Sequence, residues 1–337
     1  MAIGDRIADV LDRAGWRELR HIARVERLEG SSGVEILDVR CILKHGPRVL
    51  LEAESRCYGR FSEALGDEAD RIFPRRMLFT EPSDELAILA IEPIPGKNLE
   101  AHIREFGEYA RVRGATDPGA IVRRQDIWQM VEQALAHLDI LHGVRATPDT
   151  GSAELHAFVR ELEGALRENL RRAKLDLDLP SISDNPAYWA TGYATLAHRD
   201  LSVVNIIGDQ SGVRFIDPRP VVPNGGTGSM FASPAIDFVA LAISIQRKEH
   251  ELRAITSGLT LGLYTCVRKA LAQCVRTGGA SARLVALCEA VVYAAYAACR
   301  CGYCLAPTRQ PLYEHMRTCA SQAVEQLHHP TEHGGAP

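Results

Sequence analysis

The chain changes character at Pro93 and Pro95. Before that point, short runs of β-branched and apolar residues are separated by turn residues. After it, long segments carry apolar residues three and four apart. The first pattern makes strands and the second makes amphipathic helices. The switch therefore predicts a small β-rich unit followed by a larger helical one. At 337 residues the chain is long enough for both to bury a core.

In the first unit, residues 4 to 14 read as a short amphipathic helix. The runs IARVERL and VEILDVRCILK predict two strands of a hairpin, joined by EGSSG at 29 to 33. Pro47 ends that region, and residues 50 to 66 form a helix. MLFTEPSDELAILAIEPIPG predicts two more strands around a polar turn at Glu81 to Glu85, with Leu86 to Ile91 apolar enough for a buried strand. Beyond the prolines, helices are expected at 121 to 142, 153 to 173, 234 to 249, 281 to 300 and 312 to 327. One strand-and-loop patch, 197 to 217, interrupts them. The expected fold class is α+β, with units at 1–92 and 93–330 and a frayed tail at 331–337.

That patch carries the strongest chemical signal. In AHRDLSVVNIIGDQSGVRFIDPRP, His198-Arg199-Asp200 is followed by Asn205, five residues after the Asp. The apolar runs VVNII and VRFI flank the turn GDQSG, and the second delivers Asp217 at its end. A carboxylate at Asp200 can accept a hydroxyl proton. Asn205 and Asp217 offer the hard oxygen ligands that Mg²⁺ prefers. An Asp base with an Asn and a second Asp on metal is the constellation of phosphoryl transfer. The alternative is that Asp200 and Asn205 only close turns through side-chain hydrogen bonds. His198 is expected to tie the loop down rather than to act on substrate.

Phosphoryl transfer also needs a cation for the α- and β-phosphates. The chain has only five lysines, and Lys44 ends the strand-like run CILK. Glu54 is expected to orient it. Cys57, Tyr58 and Phe61 follow Glu54 at helical spacing, so Glu54 shares their buried face while its rival Glu52 falls off it. Gly30-Ser31-Ser32-Gly33 can lie over phosphates with backbone N–H groups and hydroxyls as donors, though alone it is an ordinary hairpin turn. The segment 86 to 103 reads as a crossing between units, a buried strand running into a Pro/Gly linker and then the start of a helix. There the backbone from Glu92 to Ile94 can meet an adenine edge, and Gly96 allows the turn. Asp237, an acid on the apolar stripe of SPAIDFVALA, needs partners, and either capping its own helix or bracing the loop at Asp200 through backbone N–H groups would supply them.

These residues together resemble the aminoglycoside phosphotransferase family within the protein-kinase-like fold. The match runs over about residues 20 to 245, through CILK, the Glu54 helix, IEPIPGKNL, HRDLSVVN, FID and SPAIDFVAL. The resemblance implies a β-rich N-lobe, a helical C-lobe, and phosphorylation of a small-molecule hydroxyl by ATP or GTP. It makes Asp200 the base, Asn205 and Asp217 the Mg²⁺ ligands, and Lys44 the phosphate contact. Two departures stand out. The family usually has Gly where this chain has Arg199, and many members carry a second acid soon after the metal Asp, where this chain reads Asp217-Pro218-Arg219. Arg219 can instead touch phosphate or substrate. The run DPR, the missing APE and the expanded region 143 to 197 favour a small substrate over a protein.

The expected substrate is a hydroxylated antibiotic such as an aminoglycoside; Asp176, Asp178, Asp184 and Glu161 either line a cationic pocket or form a solvated helical surface, and a nucleoside or macrolide antibiotic would not need them. A metabolic kinase for choline, a sugar or homoserine is the alternative enzyme, and a nucleotide-binding pseudokinase is the alternative without catalysis. A formal charge of −4 argues against a general nucleic-acid or anionic-membrane binder. The start lacks a secretory pattern and no long uncharged apolar run occurs, so a cytoplasmic protein with reduced thiols is expected. Cys299, Cys301 and Cys304, with His315 and Cys319 further on, fit small core residues better than a zinc site.

Overall fold

The computed structural model describes residues 25–28, 34–37, 41–81, 86–182, 184–209, 212–218, 230–252, 257–298 and 310–328. The expected helix at 4 to 14, the loop with Ser31 and Ser32, Arg219, the cysteines at 299, 301 and 304 and the tail lie outside these residues.

The first unit is a five-stranded antiparallel sheet in the order β1-β2-β3-β5-β4. Its strands are β1 (Val25–Leu28), β2 (Val34–Leu37), β3 (Cys41–Pro47), β4 (Arg76–Thr80) and β5 (Leu86–Ile91). The run VEILDVRCILK is not one strand. It folds back on itself, with Val34 opposite Lys44 and Leu37 opposite Cys41. The polar positions change parity between Glu35 and Asp38, which no single strand with one buried face can follow. Lys44 therefore stands on the third strand. There, on the central strand of the sheet, it also pairs with Leu89 of the buried strand β5.

Helix α1 (Arg48–Leu65) starts directly after Pro47 and ends where Gly66 takes a φ of 57°. Leu51, Cys57, Tyr58 and Phe61 make its buried stripe. A 3-10 turn (Gly66–Glu68) and the short α2 (Ala69–Ile72) lead into β4.

The second unit is mainly helical. It contains α3 (Leu99–Arg113), α4 (Pro118–Gly143), α5 (Pro148–Ala173), the short α6 (Pro186–Trp189), α7 (Ala235–Leu252), α8 (Ser257–Arg276), α9 (Ala282–Ala298) and α10 (Gln310–His328). Sequence reading names only the start of α3 and assigns nothing to α8. The α8 signal is a four-residue step, Leu259, Leu263, Val267 and Leu271, all buried, diluted by Gly258 and Gly262. Among the described residues no helix is long and apolar enough to cross a membrane.

Two small sheets sit between the helices. β7 (Thr195–Leu196) pairs with β10 (Phe231–Ala232). A three-stranded sheet joins β6 (Lys97–Asn98), β8 (Ile206–Asp209) and β9 (Gly212–Phe215). Pairing of β6 with β8 pins the exit of the inter-unit linker onto the hairpin that carries Asn205 and Asp217. Aromatic rings continue the contact across the units. Phe61 stacks on Phe73 at 4.2 Å, and Phe73 meets Phe215 edge-on and His198 face-on. This is a bilobal, protein-kinase-like arrangement.

Candidate active site

The backbone polar groups of the loop 198–205 are tied to buried side chains around it. Asp237, on the first turn of α7 and wholly buried, accepts hydrogen bonds from the N–H groups of His198 at 2.9 Å and Arg199 at 2.6 Å. His142, at the end of α4, pairs with the same carboxylate through Nε2 at 3.0 Å. Burial alone would raise the Asp237 pKa. His142 and the loop amides outweigh it and hold the carboxyl below the usual aspartate value. His198 Nε2 lies 2.8 Å from the Ile216 carbonyl, an acceptor only, so that nitrogen carries the proton. Nδ1 then accepts the Asp200 N–H at 3.3 Å. Val203 is held from both sides, its N–H by Ser244 Oγ of α7 and its carbonyl by the Glu100 N–H of α3. Asp200 is half-buried and sits on this clamped segment.

Asn205 closes the loop. Its Nδ2 donates to the Asp200 carbonyl at 2.7 Å, and its own carbonyl accepts from the Ile216 N–H at 3.0 Å. The β8–β9 ladder thereby brings Asn205 alongside Asp217. The amide orientation turns Oδ1 away from the Asp200 carbonyl. Among the described residues no group of three or more His, Cys, Asp or Glu side chains gathers as a metal site. Asn205 and Asp217 fit Mg²⁺ on other grounds, because that ion takes one or two protein oxygens and fills its octahedron with phosphate and water.

Lys44 is buried, and its ammonium bridges two carboxylates. It donates to Glu54 Oε1 at 2.5 Å and to Asp217 Oδ1. Burial works against the lysine charge, but Glu54 and Asp217 outweigh it and keep its pKa above the ordinary lysine value. The Glu54 carboxyl is pushed up, first by burial and then by the neighbouring Asp217, with Lys44 opposing both. Glu52 lies elsewhere, paired with Arg48 at 3.8 Å and Arg56 at 3.1 Å on the outer face of α1. Tyr58, one turn after Glu54, accepts the Asp217 N–H at 3.3 Å through its hydroxyl. Asp217 itself has a φ of 58°, a left-handed backbone that is uncommon for a residue with a Cβ.

At the linker, the Glu92 N–H is already spent on the Arg75 carbonyl at 2.9 Å. Its carboxylate bonds Arg75 and, at 2.9 Å, Arg214 of β9. Partial burial opposes the Glu92 charge, but the two guanidinium groups prevail and lower its pKa. Pro93 and Pro95 carry no N–H. Ile94 is therefore the one N–H donor from 93 to 95, and it has no partner among the described residues. Of the backbone groups expected at an adenine edge, the Glu92 N–H is thus already taken.

The structure brings Lys44, Glu54 and Asp217 into direct contact, and joins Asp200, Asn205, His198 and Asp237 through one hydrogen-bonded loop. Four acids are candidates for a cationic pocket. Asp176, Asp178 and Asp184 are exposed, and Glu161 is engaged by Arg199. Sequence reading names no role for His142, Ser244 or the Tyr58 hydroxyl. Tyr58 was reachable, four residues after Glu54 on one helix face. His142 and Ser244 carry no local signal.

No model of a known protein family matches the chain, and no curated protein matches it. Solved structures do. A glucosamine kinase in complex with glucosamine, ADP and inorganic phosphate is 13% identical, with 93% of this chain and 83% of that chain covered and a TM-score of 0.51. A second crystal form of a glucosamine kinase is 13% identical, covering 96% and 84%, with a TM-score of 0.50. A thermostable mutant of aminoglycoside phosphotransferase APH(4)-Ia, in ternary complex with AMP-PNP and hygromycin B, is 11% identical, covering 95% and 98%, with a TM-score of 0.50. At such identities these matches show the fold: the chain has the protein-kinase-like fold shared by aminoglycoside phosphotransferases and glucosamine kinase.

Proposed function

We propose that this protein is a small-molecule kinase that transfers the γ-phosphate of ATP or GTP to a hydroxyl group. One observation carries the reading. Lys44 from the N-lobe sheet meets Asp217 from the C-lobe hairpin, with Glu54 orienting the ammonium from behind. A buried ammonium held between two carboxylates where the two lobes meet supports a polyphosphate site.

Each side chain then has a role that its position supports. Asp200 accepts the proton of the substrate hydroxyl and orients its oxygen. Lys44 holds the α- and β-phosphates, and Glu54 keeps it aimed at them. Asn205 and Asp217 would hold Mg²⁺, which when bound neutralises charge on the phosphates. The Ile94 N–H and Glu92 carbonyl receive the base. Asp237 and His198 hold the loop, and positioning with charge stabilisation does most of the catalytic work. Ser31 and Ser32 over the phosphates, and Arg219 near phosphate or substrate, complete the proposed set.

For the substrate we propose a hydroxylated antibiotic, an aminoglycoside or a similar compound, whose phosphorylation would give resistance. Similarity to an aminoglycoside phosphotransferase holding hygromycin B supports it. A metabolic sugar is the second reading, supported by the likeness to glucosamine kinase.

The test is coupled nucleotide turnover with Mg²⁺ and ATP or GTP across a panel of antibiotics, amino sugars, choline and homoserine. Substrate-dependent turnover is expected, falling about 10²–10⁴-fold in Asp200→Asn. Asp217→Ala is expected to abolish turnover while the circular dichroism spectrum is kept. Nucleotide binding without transfer to any hydroxyl would instead identify a pseudokinase.

A further inference from the structure

Arg199 sits where the resembling family usually has glycine, and the backbone there explains that preference. Its φ is 69°, in the left-handed region that glycine enters freely and a residue with a Cβ seldom does. Arg199 adopts it while tied at both ends. Its N–H donates to Asp237 Oδ1 at 2.6 Å. Its guanidinium pairs with Glu161 and lies over the Phe158 ring, 5.4 Å from the centroid. Phe158 and Glu161 are three residues apart on α5 and so share one face. The paired side chains are 10% and 18% exposed, too enclosed to be an ordinary surface ion pair. Arg199 is also the residue bonded directly to Asp200. Any rotation about its backbone swings the Asp200 carboxylate.

We infer that Glu161 is a positioning residue for Asp200, acting through Arg199. The inference rests on the kinase reading for its catalytic consequence, but not for its structural one. A C-lobe helix that carries no residue of the proposed reaction sets the dihedral angle from which Asp200 projects. Glu161 is thereby removed from the acids available to a cationic substrate.

The experiment compares the wild type with Glu161→Gln, Glu161→Asp, Arg199→Gly and the Glu161→Gln/Arg199→Gly double variant in the full chain. Hydrogen–deuterium exchange is followed over 198–205, and kcat and nucleotide KM are measured by coupled turnover. In Glu161→Gln, exchange at 198–205 is expected to quicken at least 10-fold while α9 is unchanged. kcat is expected to fall about 10–100-fold with nucleotide KM within twofold of the wild type, the mark of an effect confined to the reacting step. Glu161→Asp should recover part of both. In the Arg199→Gly background, where glycine holds the left-handed backbone unaided, Glu161→Gln should cost nothing further. Unchanged exchange over 198–205, or a full additive loss in that background, would overturn the inference. If the wild type turns over no nucleotide with any acceptor, the kinase reading fails by itself, and the exchange data still decide whether Glu161 holds the loop.

Discussion

Single residues carry unequal energetic weight in this site. Lys44 is one buried cation serving two acids, and its removal leaves Glu54 and Asp217 facing each other with no ammonium between them. Breaking a buried pair from one side costs about 3–5 kcal/mol. Lys44→Met is therefore expected to lose stability on that order in urea unfolding as well as activity, and adding Glu54→Leu should recover part of the stability. Asp237 makes the complementary case. Its folded pKa lies below the ordinary value of 3.8. A depressed carboxyl contributes stability that is whole above the unfolded pKa and is lost as pH falls through the folded one. The wild type is expected to hold its urea midpoint down to about pH 4 and then lose it. Asp237→Asn should start lower and show a shallower acid slope, because Asn has no such proton to take up.

At the scale of elements, the linker and the hairpin fit together glycine against glycine. A Cβ at Gly96, where φ is 97°, would lie 2.2 Å from the Gly208 carbonyl oxygen, and one at Gly208 would lie 2.1 Å from that of Gly212. Both contacts are with backbone, which cannot swing aside. Gly208→Ala is expected to destabilise by about 1–3 kcal/mol, and Gly96→Ala by more because strain is added. Gly164, on the exposed side of α5, meets nothing within 4 Å. There Gly164→Ala should stabilise by about 0.5–1 kcal/mol through helix propensity alone. Denaturant midpoints of the three variants test the contrast.

For the whole molecule, the two lobes touch where the chemistry is proposed. Lys44 to Asp217, Tyr58 to the Asp217 N–H, and Glu92 to Arg214 all cross from one lobe or its linker to the C-lobe hairpin. A nucleotide bound there stabilises the folded chain by mass action, by about 2.7 kcal/mol at 100 times its Kd. Thermal unfolding with Mg²⁺ and ATP or GTP should therefore shift upward with ligand concentration, and Lys44→Met should abolish the shift. A shift that survives that substitution would place the nucleotide elsewhere.

How much of this was legible follows from the range of the forces involved. Strand and helix periodicity, the proline break at 93–95 and the spacing from Asp200 to Asn205 are near-neighbour properties, so the sequence by itself determined the two-part architecture and named the chemical groups. The phase break within VEILDVRCILK is local too, but only the β2–β3 pairing showed that run to be two strands. The choice of Glu54 over Glu52 was also legible, since one helix face decides it. Tertiary structure alone decided which groups meet. Lys44 and Asp217 are 173 positions apart, His142 and Asp237 are 95 apart, and Arg199 and Glu161 are 38 apart. No local pattern encodes such pairs. They form because packing of the lobes brings buried charges within reach, and a buried charge must then find its partner there or not be buried at all.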